Sequence, residues 1–98
     1  MAERSLPWLA QHGVAYIAVI NISEPVEAKV ATKHNVTAAE VREALVLTQL
    51  QRAVWHHAAQ GRRLLATGTT ADGRRLNAVL YPADQGDGTW WLATAMWA

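Results

Sequence analysis

Lys33 and His34 stand side by side, Glu40 follows within the same region, and arginines cluster between Thr48 and Tyr81. In that stretch Arg52, Arg62, Arg63, Arg74 and Arg75 are opposed by Asp72 alone, a balance of +4. Up to Leu47, Arg4, Lys29, Lys33 and Arg42 face Glu3, Glu24, Glu27, Glu40 and Glu43, a balance of −1. An imidazole, an amine, a carboxylate and several guanidiniums are what metal-free RNA cleavage needs. One group acts as base at the 2′-hydroxyl, one as acid at the leaving 5′-oxygen, and the cations hold the phosphorane. Arginine also matches paired phosphate oxygens, so an arginine-only middle suits a phosphate-binding face. Each group has a plainer use. Lys33 and His34 suit a helix C-terminus, where the dipole favours cations. Glu40 suits a helix cap, Arg74 and Arg75 follow a turn, and paired arginines solvate turns.

Other chemistries are excluded more firmly. The chain has no cysteine, which removes disulfides, thiolate zinc sites and cysteine nucleophiles. Among His12, His34, His56 and His57 no pair has the i, i+4 spacing of a helical zinc site, so no metal is expected. Ser5 and Ser23 are the only serines, one in an irregular leader and one at a cap, which leaves no serine nucleophile. There is no phosphate loop and no dinucleotide fingerprint, and no cofactor is expected.

The elements that must position these residues are legible from caps and periodicity. Ninety-eight residues make one domain, read as an irregular leader over 1–13 and a single domain over 14–98. Val14–Ile22 is β-branched and suits a first strand. Ser23 then caps a helix with Glu24 and Pro25 in its first turn and Asn35 as left-handed terminator. Thr37 opens a second helix through a capping box with Glu40, and Val41, Ala44 and Leu45 form its apolar stripe. Residues 48–60 fit helix or strand. From Leu64 the pattern is β, with Asp72-Gly73 as a two-residue hairpin turn. The expected fold is α+β, two N-terminal helices packed on an antiparallel meander sheet of three or four strands.

Two finer expectations follow from strand alternation. Pairing Ala71 with Arg74 puts Leu65, Leu76 and Leu80 under the helices, and the four arginines 62, 63, 74 and 75 along one groove. In the last strand, Trp90, Leu92 and Met96 form the core face. Trp91 and Trp97 then share the other, a recess for a partner chain or for Trp8 of the leader.

The run Glu27-Ala28-Lys29, Lys33-His34-Asn35-Val36-Thr37, Glu40-Val41 resembles the helix pair of BrnT-like toxins, members of the RelE/ParE superfamily of toxin–antitoxin modules. Gly61-Arg62-Arg63-Leu64, Thr67-Gly68-Thr69, Gly73-Arg74-Arg75-Leu76, Val79-Leu80-Tyr81 and Trp91-Leu92-Ala93-Thr94-Ala95 follow the order of that family's strands. The resemblance covers residues 22–96. It implies a small α+β fold, mRNA cleavage on or off the ribosome, and neutralisation by a cognate antitoxin. By position Lys33, His34 and Glu40 match the helical motif, and Arg62, Arg63, Arg74 and Arg75 match basic strand ends. The family usually has arginine after the Thr-Ala pair of its last strand, and this chain has Met96.

The resulting expectation is a toxin or toxin homologue that binds RNA and acts as a metal-independent ribonuclease. Its partners would be RNA or the ribosome, an antitoxin, or a second copy of the chain. The alternative is a catalytically silent interaction module on the same scaffold, with Trp91 and Trp97 as anchors. No apolar run spans a bilayer and no signal-peptide cleavage site follows the start, so a cytoplasmic protein is expected.

Overall fold

The structure, a computed structural model, describes residues 17–47, 50–58, 61–83 and 88–98. The expected leader and its Trp8 lie outside those residues, as does the start of the first strand. The order is β1 (Val19–Asn21), α1 (Glu24–His34), α2 (Ala38–Arg42), a π-helical turn (Glu43–Leu47), β2 (Leu50–Ala58), β3 (Gly61–Thr69), β4 (Arg75–Pro82) and β5 (Thr89–Trp97). The fold is α+β. The sheet, however, has five strands in the order β1-β5-β4-β3-β2 and is mixed, since β1 runs parallel to β5. The expected meander of three or four strands is therefore β2 to β5, extended by β1. That addition makes β5 an interior strand, not the edge that docking through its backbone would require.

The helix boundaries follow their caps. The Ser23 side chain accepts from the Val26 amide, and Asn35 closes α1 at φ 57°, the left-handed terminator. Thr37 and Glu40 form the full capping box. The second helix is shorter than its stripe suggested, passing after Arg42 into the π-helical turn. Val41, Ala44 and Leu45 are nonetheless buried, over a core with Val30, Val36, Leu64, Leu76, Leu80 and Leu92. Arg42 donates to the Ile20 carbonyl at 3.0 Å, tying α2 to β1.

Residues 50–58, ambiguous by propensity, are strand because they pair antiparallel with β3. Val54 and Trp55 suit a half-buried pleat, and the partner strand decides between the two conformations.

The β3–β4 turn has one more residue than expected. Thr70 pairs with Arg74 around Ala71-Asp72-Gly73: the Thr70 amide donates to the Arg74 carbonyl, and the Gly73 amide to that of Thr70. Gly73, at φ 89°, supplies the left-handed residue. A one-residue shift turns every side chain of a strand over. Leu64, Ala66 and Gly68 therefore face the helices beside Leu76, Ala78 and Leu80, and Leu65 is 40% exposed. Gly68 explains the choice. A Cβ there would lie 2.7 Å from the Ala44 carbonyl carbon and closer still to its oxygen, so only glycine passes beneath the π-helical turn.

Alternation in β5 breaks as well. Val79 pairs with Thr94 but Leu80 with Leu92, leaving Ala93 as a bulge. The Ala93 carbonyl accepts from Lys29 Nζ at 3.0 Å. Beyond the bulge the faces exchange. Trp90, Leu92 and Ala95 are buried under the helices, Trp97 packs against that core, and Met96 is exposed. Two expectations are corrected: Met96 is not in the core, and Trp91 and Trp97 do not share a face.

Candidate nucleic-acid interface

The four candidate arginines divide between the two ends and the two faces of the sheet. Arg62 and Arg63 are neighbours in β3 and so point to opposite faces. On the helix side, the Arg62 guanidinium lies 4.3 Å from the centre of the Trp55 ring, which itself packs on Trp90. On the open side, Arg63 lies 4.9 Å from the Tyr81 ring. Its Nε is buried and has no hydrogen-bond partner. Next to Tyr81 in register comes Trp91, 45% exposed. By backbone register, His56 of β2 is the partner of Arg63.

At the other end, the Arg74 guanidinium lies 3.6 Å from the Trp97 ring. The Trp97 indole donates to the Asn35 carbonyl at 3.1 Å. Arg74 is thus brought beside the C-terminus of α1, whose last turn carries Lys33 and His34. Arg75 alternates with buried Leu76 and points to the open face. A single groove holding all four arginines is therefore not formed. Arg63 and Arg75 share one face, while Arg62 and Arg74 stack on tryptophans of the other.

Of the candidate catalytic groups, Lys33 is exposed and His34 half-buried at the end of α1. Glu40 is held in its cap, where Oε1 accepts from the Thr37 amide at 2.9 Å and from its hydroxyl at 3.1 Å. All three sit in the helical layer, on the side of the sheet away from Arg63 and Arg75. Among the described residues no group of three or more His, Asp and Glu could hold a metal ion. No helix of the described residues is long and apolar enough to cross a membrane.

The open face has a feature that strand-by-strand reading missed. Between the Arg63 and Arg75 rows lies a recess of about 350 Å³. It is formed by the register rows Val54–Leu65–Val79–Thr94 and Thr67–Asn77–Met96. Thr67 Oγ1 donates to Asn77 Oδ1 at 2.8 Å within it. The signal was present in the sequence but needed the correct hairpin register. Moreover, β1 to β5 contain Arg52, Arg62, Arg63 and Arg75 and not one Asp or Glu. Among the described residues the acids Glu24, Glu27, Glu40, Glu43 and Asp72 all lie in helices or the β3–β4 turn.

At the tip of the hairpin, Thr70 donates its hydroxyl proton to Asp72, and the Ala71 amide donates to the Glu43 carboxylate. The Thr70 hydroxyl, helped by backbone donors and Arg74, holds the Asp72 carboxyl below the usual aspartate range. This network anchors the turn that places Arg74 and Arg75. Comparison with family models, curated proteins and solved structures returns no significant match.

Proposed function

We propose that the chain is an RNA-binding toxin, or toxin homologue, of the RelE/BrnT kind, whose open sheet face carries the RNA. The observation that carries this reading is the charge of the strands, which hold no carboxylate and set Arg63 and Arg75 on the open face. Guanidinium groups pair with phosphate oxygens, and phosphate contact is the dominant source of affinity for nucleic acid. Stacking of Arg63 on Tyr81 holds its guanidinium plane in place before any ligand arrives. In this reading Arg74 and Lys33, with the His34 imidazole, form a second group at the end of α1, and a cognate antitoxin neutralises the protein.

A second reading is a catalytically silent interaction module. Val54, Leu65, Trp91 and Met96 are all exposed on the open face, and apolar side chains grouped in this way mark contact surfaces. Met96 stands there where the resembling family usually has arginine.

Expression with growth as the readout, followed by RNA cleavage assays on purified protein, separates the two. The toxin reading expects growth arrest, relieved by Arg63→Ala, Arg75→Ala or His34→Ala. Unimpaired growth together with intact RNA in the assay would leave only the interaction module.

A further inference from the structure

The recess on the open face joins a flat apolar floor to one oriented polar group. Leu65 and Val79 lie in one register row and Thr67 and Asn77 in the next, with Val54 and Met96 at the flanks. Because Thr67 Oγ1 donates to Asn77 Oδ1, the amide oxygen is engaged and the NH2 group is turned away from Thr67. Asn77 is an exposed residue of the recess lining. The volume is at the lower end of that of small-molecule sites, enough for one planar ring system.

The surroundings select the occupant. Arg63 lies at one end of the strip and Arg75 at the other. Arg63 and Thr69, the register partner of Arg75, lie six positions apart in β3, or roughly 20 Å at about 3.3 Å per residue. With no acid in any strand, the strip complements an anion at both ends and a flat apolar group in its middle. Trp91 adds an exposed ring one row beyond Arg63's end of the recess. Phosphates, planar bases and stacking on exposed aromatics together describe a single-stranded nucleic acid. An acidic peptide would match the charge but would leave the planar recess and ring platform unexplained.

We infer that Asn77 reads one base of a single-stranded RNA seated in this recess, with Thr67 as the positioning residue; this rests on the RNA-binding reading above. With its oxygen engaged by Thr67, the Asn77 amide offers chiefly its NH2 group, which prefers a base edge with acceptors unopposed by an amine. Guanine presents N7 and O6, and cytosine O2 and N3. Adenine sets its N6 amine against the Asn77 amine. The site therefore favours cytosine or guanine over adenine.

The test compares oligocytidylate and oligoadenylate of about 12 nucleotides by fluorescence anisotropy. It uses the wild type, Asn77→Ala and Thr67→Val. Both residues lie on the open face, so a matching urea midpoint serves as the check on folding. The expected result is a cytidylate-to-adenylate affinity ratio that falls about fivefold or more in Asn77→Ala. Adenylate affinity should stay within about twofold, and Thr67→Val should lose part of the same ratio by freeing the amide. An unchanged ratio in both variants, with salt-sensitive binding of both RNAs, overturns the inference and leaves RNA binding standing. Failure of the wild type to bind either RNA at about 50 mM salt overturns both. So does binding of an acidic amphipathic peptide by a protein that ignores RNA.

Discussion

On the helix-covered face Leu64, Leu76 and Leu80 are at most 1% exposed, and one residue along the same strand Leu65 is 40% exposed. The covered face is a packed interior. Its two arginines, 62 and 74, lie at the margins over Trp55 and Trp97. The open face has comparable side-chain types, and among the described residues no layer covers it. Apolar groups there stay in water, and Arg63 keeps a buried Nε without an acceptor. Burial of apolar area stabilises the first face in the isolated chain. The second presents exposed apolar groups and guanidiniums, whose burial would stabilise a complex more than the isolated chain. Substitutions should therefore cost stability on one side and binding on the other.

The sharpest break in that division is Gly68→Ala. Its new methyl would meet the Ala44 carbonyl, so overpacking should cost about 3 kcal/mol or more, measured by urea unfolding. A near-wild-type midpoint would mean that the π-helical turn does not rest on β3.

Truncation of adjacent leucines comes next. Leu76→Ala should lose about 2–5 kcal/mol by the same measurement, and the exposed Leu65→Ala less than about 1 kcal/mol. Equal losses would restore the hairpin register with a two-residue turn.

Arg63→Ala and Arg75→Ala should each weaken RNA uniformly across sequences and lower the salt slope by about 1. Stability should hardly change. A larger effect from Arg62→Ala would move the RNA to the helix side.

The smallest effect concerns Asp72. Its pKa is lowered on folding, chiefly by the Thr70 hydroxyl. The stabilisation it adds is complete above the ordinary aspartate pKa and is lost as pH falls through the depressed folded value. Asp72→Asn should thus be less stable than wild type near neutrality, and the gap should close in strong acid. A gap that widens in acid would show that the carboxylate is not the hydrogen-bonded form.

Much of this architecture was legible in the sequence because it depends on neighbours along the chain. Ser23, Asn35 and the Thr37–Glu40 box act within five residues of themselves, and each terminates or starts a helix where the residue types require it. The absence of acids from the strands and the cluster of arginines were likewise present in the letters. What tertiary structure alone decided was parity. The Ala71-Asp72-Gly73 loop and the Ala93 bulge each change a count by one. In a strand, one residue is the difference between the two faces. Local preference for an Asp-Gly turn favoured the shorter loop. Beneath Ala44 no Cβ fits, and the shorter loop would set Thr69 opposite Leu76 where Gly68 now stands, so steric exclusion in a close-packed core outweighs the turn preference. That same shift exposes Leu65, brings Thr67 to Asn77 and creates the recess, so the candidate site exists only at the level of the packed sheet.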